Sequence, residues 1–260
     1  MKFKIYPYKM GSKSSKELAT ALECRRINSN RTSYRGYSNH IVINWGSQRT
    51  VEAYSRVHIV LNQPQAVSRA SNKLSAFRAF TDASVPTLEY TTNFDEAEAW
   101  KESGHTVFAR TTLSGHSGSG IVVVKDTMEL VQAPLYTNNF EKDKEFRVHV
   151  LKDDLICIQQ KRVKATENRD EGAEVDPDIW NHAGQRVFVR NSIDYGEVDK
   201  DEMVQIAIDA VKALGLDFGS VDIGTKGSEI IVFEVNTASG LTGSTIDDYK
   251  RAFNDYMDRL

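Results

Sequence analysis

Lysine and apolar residues alternate at the start of a stretch, Lys2 to Tyr8, that reads as a strand. Helical spacing follows: Ser14-Ser15-Lys16-Glu17 forms a capping-box pattern, and Leu18, Ala21 and Leu22 supply an apolar face. A short strand, Ile41-Val42-Ile43, then runs into Asn44-Trp45-Gly46, so the opening predicts a small α/β unit with a parallel strand pair. The segment through Asn62-Gln63-Pro64 reads as a connection. From Asn72 the spacing is helical again, with Leu74, Phe77 and Phe80 three apart and Val85-Pro86 closing the element. Asn93-Phe94-Asp95-Glu96 opens another helix, which Gly104 ends.

From Thr106 onward β patterns dominate. Thr106 to Arg110 and Ile121 to Lys125 are strands on either side of a glycine-serine loop. Glu145 to Leu151 and Leu155 to Val163 predict a hairpin turning at Lys152-Asp153-Asp154. Residues 164–195 are polar and irregular, the pattern of a long functional loop region. Asp199 caps a helix carrying Met203, Ala207, Ala210, Val211 and Leu214, stopped by Gly215. Two strands, Ser220 to Ile223 and Glu229 to Asn236, precede a last helix with Ile246, Tyr249, Phe253, Tyr256 and Leu260 on one stripe. Asp247 and Asp248 fall in its first turn, where the helix dipole favours acids.

Composition narrows the class. At roughly 150 residues per domain, 260 residues make one large domain or two to three small ones. A net charge of -3 argues against a general nucleic-acid coat and weighs against nucleic acid as a partner without excluding it. Arg25, Arg26, Arg31 and Arg35 form a local basic cluster that reads first as a solvated helix end and loop. Two cysteines, Cys24 and Cys157, exclude a disulfide scaffold, and no apolar run approaches a membrane span or a signal-peptide core. A cytoplasmic globular protein is expected.

Three constellations carry chemistry. The first is Ser114-Gly115-His116-Ser117-Gly118-Ser119-Gly120, between two strands. Glycines let a backbone approach an anion and aim N–H groups at it, and such a loop can act as a lid over phosphates. No Gly-Lys-Ser/Thr follows, and a strand rather than a helix comes next, so neither a P-loop nor a dinucleotide fingerprint fits. Arg110, at the neck of the loop, and Lys73, at a helix start, add cations suited to phosphate oxygens.

The second is the late strand pair. Strict alternation puts Val221, Ile223, Ile231, Phe233 and Val235 on an apolar core face, and Asp222, Glu234 and Asn236 on the other. Two carboxylates and an amide suit Mg²⁺ rather than zinc. The third is the hairpin face with Glu145, Arg147 and His149. A three-residue turn brings Lys161 to Arg147's side and a two-residue turn brings Arg162; Lys161 is favoured. Between the first and third, Pro134 interrupts Leu130 to Tyr136, leaving backbone groups of Gln132 and Leu135 for a heterocycle.

The order of these parts resembles the ATP-grasp superfamily over residues ~64–243. The pieces that carry the likeness are Asn72-Lys73-Leu74, Phe108-Ala109-Arg110 with the glycine-serine loop, VQAPLY, EFRVHV with IQQKR, LGLDFGSVDIG and IIVFEVNTASGL. The resemblance is nearest to the carboxylate–amine ligases, such as ribosomal-protein glutamate ligase and D-alanine–D-alanine ligase. The compact N-terminal part is similar to short viral members, which would place the protein in a host cytoplasm.

This resemblance implies an N-terminal α/β domain over 1–63, a first ATP-grasp subdomain with the lid over 64–135, and a second, metal-binding one over 136–260. Its α+β subdomains with antiparallel sheets would clasp ATP. Lys73 and Arg110 would contact the α- and β-phosphates, and Ser114, Gly115, His116, Ser117 and Gly118 would close over the triphosphate. Gln132, Ala133 and Leu135 would hold adenine, with Glu145 on the ribose. Arg147 and Lys161 would face the γ-phosphate, and Asp222, Glu234 and Asn236 would hold Mg²⁺, with Mn²⁺ as a substitute. The acceptor would lie near Asn181, His182, Arg190, Asn191 and the turn Ser239-Gly240-Leu241. Arg110 stands where the family usually has lysine, and Ser239 where it often has proline.

The implied activity is ADP-forming ligation of a carboxylate to an amine on an amino acid, peptide or modified macromolecule, with no membrane partner. Two alternatives remain: a small-molecule kinase on the same ATP site, and a nucleotide-binding module without turnover. Asp217-Phe218-Gly219 spells a protein-kinase triplet, but no His-Arg-Asp accompanies it; a Gly-x-Ser-x-Gly elbow is absent, and Cys157 reads as a core residue.

Overall fold

The computed structural model describes residues 1–28, 33–115, 119–125, 127–168 and 185–260. At the N-terminus β1 (Lys2–Pro7), α1 (Lys13–Ala21), β2 (Arg25–Arg26), β3 (His40–Trp45) and β4 (Ile59–Leu61) build a parallel sheet of order β2-β1-β3-β4. The cap of α1 lies earlier than the capping-box pattern suggested: Ser12 Oγ accepts the Ser15 N–H at 3.3 Å, and Ser14 and Ser15 are buried inside the helix. The expected connection after β3 contains β4, a three-residue strand too short to show a period. Helix α2 (Pro64–Ser71), with proline in its first turn, was also illegible by pattern.

Helix α3 (Lys73–Asp82) starts at Asn72, whose side chain accepts the Ser75 N–H at 3.0 Å. A second sheet, β5-β8-β6-β7, comprises β5 (Tyr90–Thr91), β6 (Val107–Arg110), β7 (Ile121–Val124) and β8 (Leu135–Asn138). Helix α4 (Phe94–Glu102), capped by Asn93, covers it through Ala97, Val107, Ala109 and Tyr136.

The largest sheet runs β11-β10-β9-β12-β13 and is antiparallel throughout. Its strands are β9 (Lys144–Leu151), β10 (Asp154–Val163), β11 (Arg186–Val189), β12 (Phe218–Lys226) and β13 (Glu229–Asn236). Strand β11 lies inside the segment expected to be loop. Helices α2, α3 and α5 (Lys200–Ala213) bury one face, where Phe77, Phe80, Met203, Ala207 and Val211 meet Val148, Val221, Ile223 and Val232.

Helix α6 (Ser244–Asp258) joins the ends of the chain. Tyr249 and Phe253 pack with Phe3, Ile41, Trp45 and Phe218, while Leu260, expected on the same stripe, is half exposed beyond the helix. Asn62 ties the parallel sheet to β12: its Oδ1 accepts the N–H groups of Asp217 (2.7 Å) and Phe218 (3.1 Å), and its Nδ2 donates to Phe218 O at 2.9 Å. This asparagine takes a left-handed backbone (φ 62°), which its residue type tolerates. No helix among the described residues is long and apolar enough to cross a membrane.

Candidate active site

The face of the large sheet opposite the helices carries the polar constellation. Register sets it out: Asp222 pairs with Glu234 on one side and Arg147 on the other, and Ser220 pairs with Asn236. Paired residues share a face, so Arg147, Asp222, Glu234 and Asn236 stand together. Arg147 grips Asp222 with a fork, Nε to Oδ1 at 2.6 Å and Nη2 to Oδ2 at 2.8 Å. The Asn236 amide donates to Asp222 Oδ2 (3.3 Å) and Glu234 Oε1 (3.0 Å).

Two irregularities shape this face. The hairpin β9–β10 turns on two residues, Lys152 and Asp153, since Asp154 pairs with Leu151. On that basis alone Arg162 would join Arg147's side. A register shift between Leu155 and Cys157 inserts one residue, restoring Gln159 opposite Arg147, and Lys161 ion-pairs Glu145. Lys161 therefore holds the position, by a two-residue turn plus a bulge; Arg162 instead donates to Gln160 Oε1 at 2.8 Å.

The second shift lies between Asp222 and Ile223, which pairs with Val232. Phe233 is the extra residue. It leaves the core face that strict alternation assigned to it, and its ring covers Gly224, where a Cβ would meet Phe233 Cζ at 2.2 Å. Gly224 is the register partner of Glu145, so Phe233 lies on the polar side, with Lys142 Nζ 4.9 Å from its ring centroid.

Glu145 is buried and bracketed by Lys161 and by Lys142 at 3.5 Å. Burial raises its pKa, against the pull of the two lysines. Phe188 of β11 floors the region, with the Arg147 guanidinium 4.2 Å and Lys161 Nζ 4.9 Å from its ring centroid. Lys142 and Phe188 belong to none of the sequence motifs, and Phe233 is the residue that strict alternation assigns to the core. The Val187-Phe188-Val189 run was the available signal for Phe188, hidden inside an otherwise polar segment.

The other subregion supplies cations. Lys73, in the first turn of α3, reaches Glu234 and pairs with it. Burial works to raise the Glu234 pKa, but Lys73, Asn236 and Arg147 outweigh it and hold it at about 2. Arg110, ending β6, lies 5.9 Å from the Phe77 ring centroid; its Nε is buried without a hydrogen-bond partner. Burial lowers its pKa, against the attraction of Glu234. An orphaned buried guanidinium N–H is an open position for an anion.

The glycine-serine loop is anchored at this spot. Leu113 O accepts the Lys73 N–H at 2.8 Å, and Gly120 O accepts the Thr111 N–H at 2.7 Å. Ser114 is exposed, and a Cβ on Gly115 would meet Ser119 O at 2.6 Å. His116, Ser117 and Gly118 lie outside the described residues, as do Asn181 and His182.

In the hinge segment Gln132 is exposed and Leu135 is buried in β8 opposite Arg110. The Ala133 N–H is committed to Tyr136 Oη at 2.8 Å, which in turn donates to Val131 O at 3.1 Å. Of the residues expected near an acceptor, Arg190 pairs with Asp248 of α6 and donates to Ser244 Oγ, while Asn191 is exposed. Ser239 is buried against Ser220, and Leu241 belongs to the core shared with α6. His149, expected to line the polar face, is wholly buried between Tyr249 Oη (Nδ1, 3.0 Å) and Gln159 Oε1 (Nε2, 3.0 Å). Cys157 is buried, with its thiol pKa pushed up to about 12 by burial, and so is no nucleophile.

Among the described residues no three His, Cys, Asp or Glu side chains gather as a metal site. A divalent ion would depend on two carboxylates and one amide. The donor set fits: Asn236 already touches both carboxylates, and a half-turn of its amide presents an oxygen to the same point.

No protein-family model matches the chain. The probable alpha-L-glutamate ligase of Haemophilus influenzae is 27% identical over 194 residues, covering 70% of this chain and 59% of the relative. The tetrahydromethanopterin:alpha-L-glutamate ligase of Methanocaldococcus jannaschii is 28% identical over 194 residues, covering 71% and 64%. The chain thus spans about three-fifths of the length of these curated relatives. Among solved structures, a D-alanine–D-alanine ligase from Bacillus anthracis superimposes with a TM-score of 0.67 at 15% identity, covering 98% of this chain and 92% of that one. The ligase PsnB, bound to a minimal precursor, Mg and ADP, gives 0.65 at 12% identity, covering 97% and 96%.

Proposed function

We propose, from the premise that this chain has the ATP-grasp fold of the solved ligases it superimposes on, that it is an ATP-dependent carboxylate–amine ligase. One observation carries the reading: Asp222, Glu234 and Asn236 converge within hydrogen-bonding reach, ringed by Lys73 and Arg147, with Arg110 nearby. Both curated relatives are named as glutamate ligases, which supports a carboxylate and an amine as the substrates.

In this reading the triphosphate lies between the two antiparallel sheets. Arg110 and Lys73 take the α- and β-phosphates, and the orphaned Arg110 Nε gains its acceptor. Gln132, Leu135 and the carbonyl side of Ala133 border the adenine, and Glu145 faces the ribose. Asp222, Glu234 and Asn236 hold Mg²⁺, which when bound offsets charge on the phosphoryl oxygens.

A substrate carboxylate oxygen attacks the γ-phosphorus, the bond to the β–γ bridging oxygen breaks, and ADP leaves. Arg147 and Lys161 stabilise the equatorial oxygens as charge spreads over them. The amine then attacks the acyl carbon of the resulting acyl-phosphate, phosphate departs, and the amine gives up a proton. Residues 64–135 and 136–260 act as the two clasping subdomains, with 1–63 as a small N-terminal α/β domain.

The test is mass spectrometry of a cell extract incubated with protein, ATP and magnesium. A product of condensed mass, formed with stoichiometric ADP and phosphate, is expected. Phosphate retained on the product would replace the ligase with a kinase, and no ADP across acceptor panels would leave a binding module.

A further inference from the structure

The net charge of -3 conceals a division along the chain. Residues 1–63 hold 11 Lys and Arg against 3 Glu and no Asp, a net of +8 that includes Arg31; residues 64–260 hold 22 against 33, a net of -11. Two of the three acids in the basic part, Glu17 and Glu52, are already paired with Lys13 and Arg56.

The parallel sheet collects part of this charge on one face. Lys4 is in register with Arg25, and Lys2 with His40, so these four side chains share a side. Among the described residues Lys2, Lys4 and Arg25 make no ion pair, and Lys2 and Arg25 are exposed. Their field is felt locally: burial, then Lys4 and Lys2, lower the His40 pKa.

Aromatic rings stand among the cations. Tyr34 stacks on His40 at 5.7 Å, and Tyr37 meets it edge-on at 5.0 Å while remaining 58% exposed. Arg35, two residues before Tyr37, is also exposed. Cations beside an exposed ring match a phosphate backbone whose bases are free to stack. A duplex keeps its bases stacked inside, and an acidic peptide has no flat π face to offer.

We propose that this face binds single-stranded nucleic acid, with Lys2, Lys4 and Arg25 along the phosphates and Tyr37 under a base. The idea is independent of the ligase reading.

The test is fluorescence anisotropy of a labelled single-stranded oligonucleotide with the full chain, under saturating non-hydrolysable ATP analogue and magnesium to occupy any nucleotide site. Three phosphate contacts predict a log–log salt slope of about -2, roughly a twentyfold loss of affinity between 50 and 200 mM salt. The triple variant Lys2→Gln/Lys4→Gln/Arg25→Gln should bind at least tenfold more weakly with a flatter slope. The control Lys200→Gln/Lys250→Gln, on the acidic part, should bind as the parent does. Tyr37→Ala should weaken binding severalfold with the slope unchanged, and Tyr37→Phe should restore it, a readout that survives if the triple variant misfolds. The proposal is overturned by absence of binding, by equal affinity for a polyglutamate peptide of matched charge, or by triple-variant affinity equal to the parent's. Salt-sensitive self-association that the triple variant abolishes, with no oligonucleotide bound, would instead assign the face to a second copy of the chain.

Discussion

Arg147 holds both carboxylate oxygens of Asp222 across neighbouring strands, a fork of 2.6 and 2.8 Å with both side chains largely withdrawn from water. Removing one partner strands the other charge. Asp222→Asn should destabilise the chain by roughly 3 kcal/mol, a fall in Tm of about 6–12 °C. The double variant Arg147→Met/Asp222→Asn should recover much of that in thermal unfolding. Equal losses for the single and double variants would show that the fork contributes little.

Glu234→Gln should leave the fold intact and reduce ADP formation by roughly 100-fold or more, because one of two anionic oxygen donors is lost where phosphoryl charge develops. A coupled ADP assay, run beside circular dichroism, measures both halves. Near-parental turnover would count against the metal assignment.

Arg110 keeps a buried Nε without a partner. Arg110→Met should therefore raise the Tm of the unliganded chain by a degree or more while shrinking the shift produced by magnesium and an ATP analogue. Differential scanning fluorimetry with and without ligand reads both. Were the ligand-induced shift unchanged, Arg110 would not touch the phosphates.

Much of this arrangement was legible in the residues, for physical reasons. Asn72, Asn93 and Asp199 announce helices because their side chains satisfy first-turn N–H groups, and all three do so here. Asp222, Glu234 and Asn236 share a face because their alternation and the pairing of β12 with β13 agree. Bulges broke the inference elsewhere. One extra residue carried Phe233 across the sheet, and another reconciled a two-residue turn with Lys161 on the site face. Pairing geometry of that kind is set by neighbouring strands and leaves no mark in a period-two pattern. His149 followed the alternation yet was misread, because the polar face continues under α6, where Tyr249 and Gln159 close over it.

That burial gives a pH signature. Burial, together with Arg147 and Arg190, lowers the His149 pKa to about 4 despite the Gln159 hydrogen bond. The fold favours neutral imidazole, so the contribution is complete above the unfolded value near 6.5 and is lost as pH falls toward 4. The window spans about 3 kcal/mol at most. Tm followed from pH 7 to 4 should decline, and His149→Gln should flatten that decline. Glu234, lowered from 4.5 to about 2, loses its contribution only as pH falls through that interval, so it stays out of the upper part of this scan.

Gly224 lies beneath the Phe233 ring, with no room for a Cβ. Gly224→Ala should cost roughly 1–3 kcal/mol, and adding Phe233→Ala should return part of it. A double-mutant cycle by urea unfolding measures the coupling; additive losses would mean the ring has space elsewhere.

At rest each acid of the site already faces a cation: Glu145 meets Lys161, Asp222 meets Arg147, and Glu234 meets Lys73. The pocket is electrically self-quenched. A bare divalent ion would have to displace lysine and arginine from the oxygens it needs, and a bare triphosphate would meet three carboxylates with its own surplus of negative charge. Arriving together with their charges partly cancelled, they would let Lys73 and Arg147 swing to phosphate and leave Asp222 and Glu234 to the metal. On the proposed reading, such a site would favour the metal–nucleotide complex over either component alone.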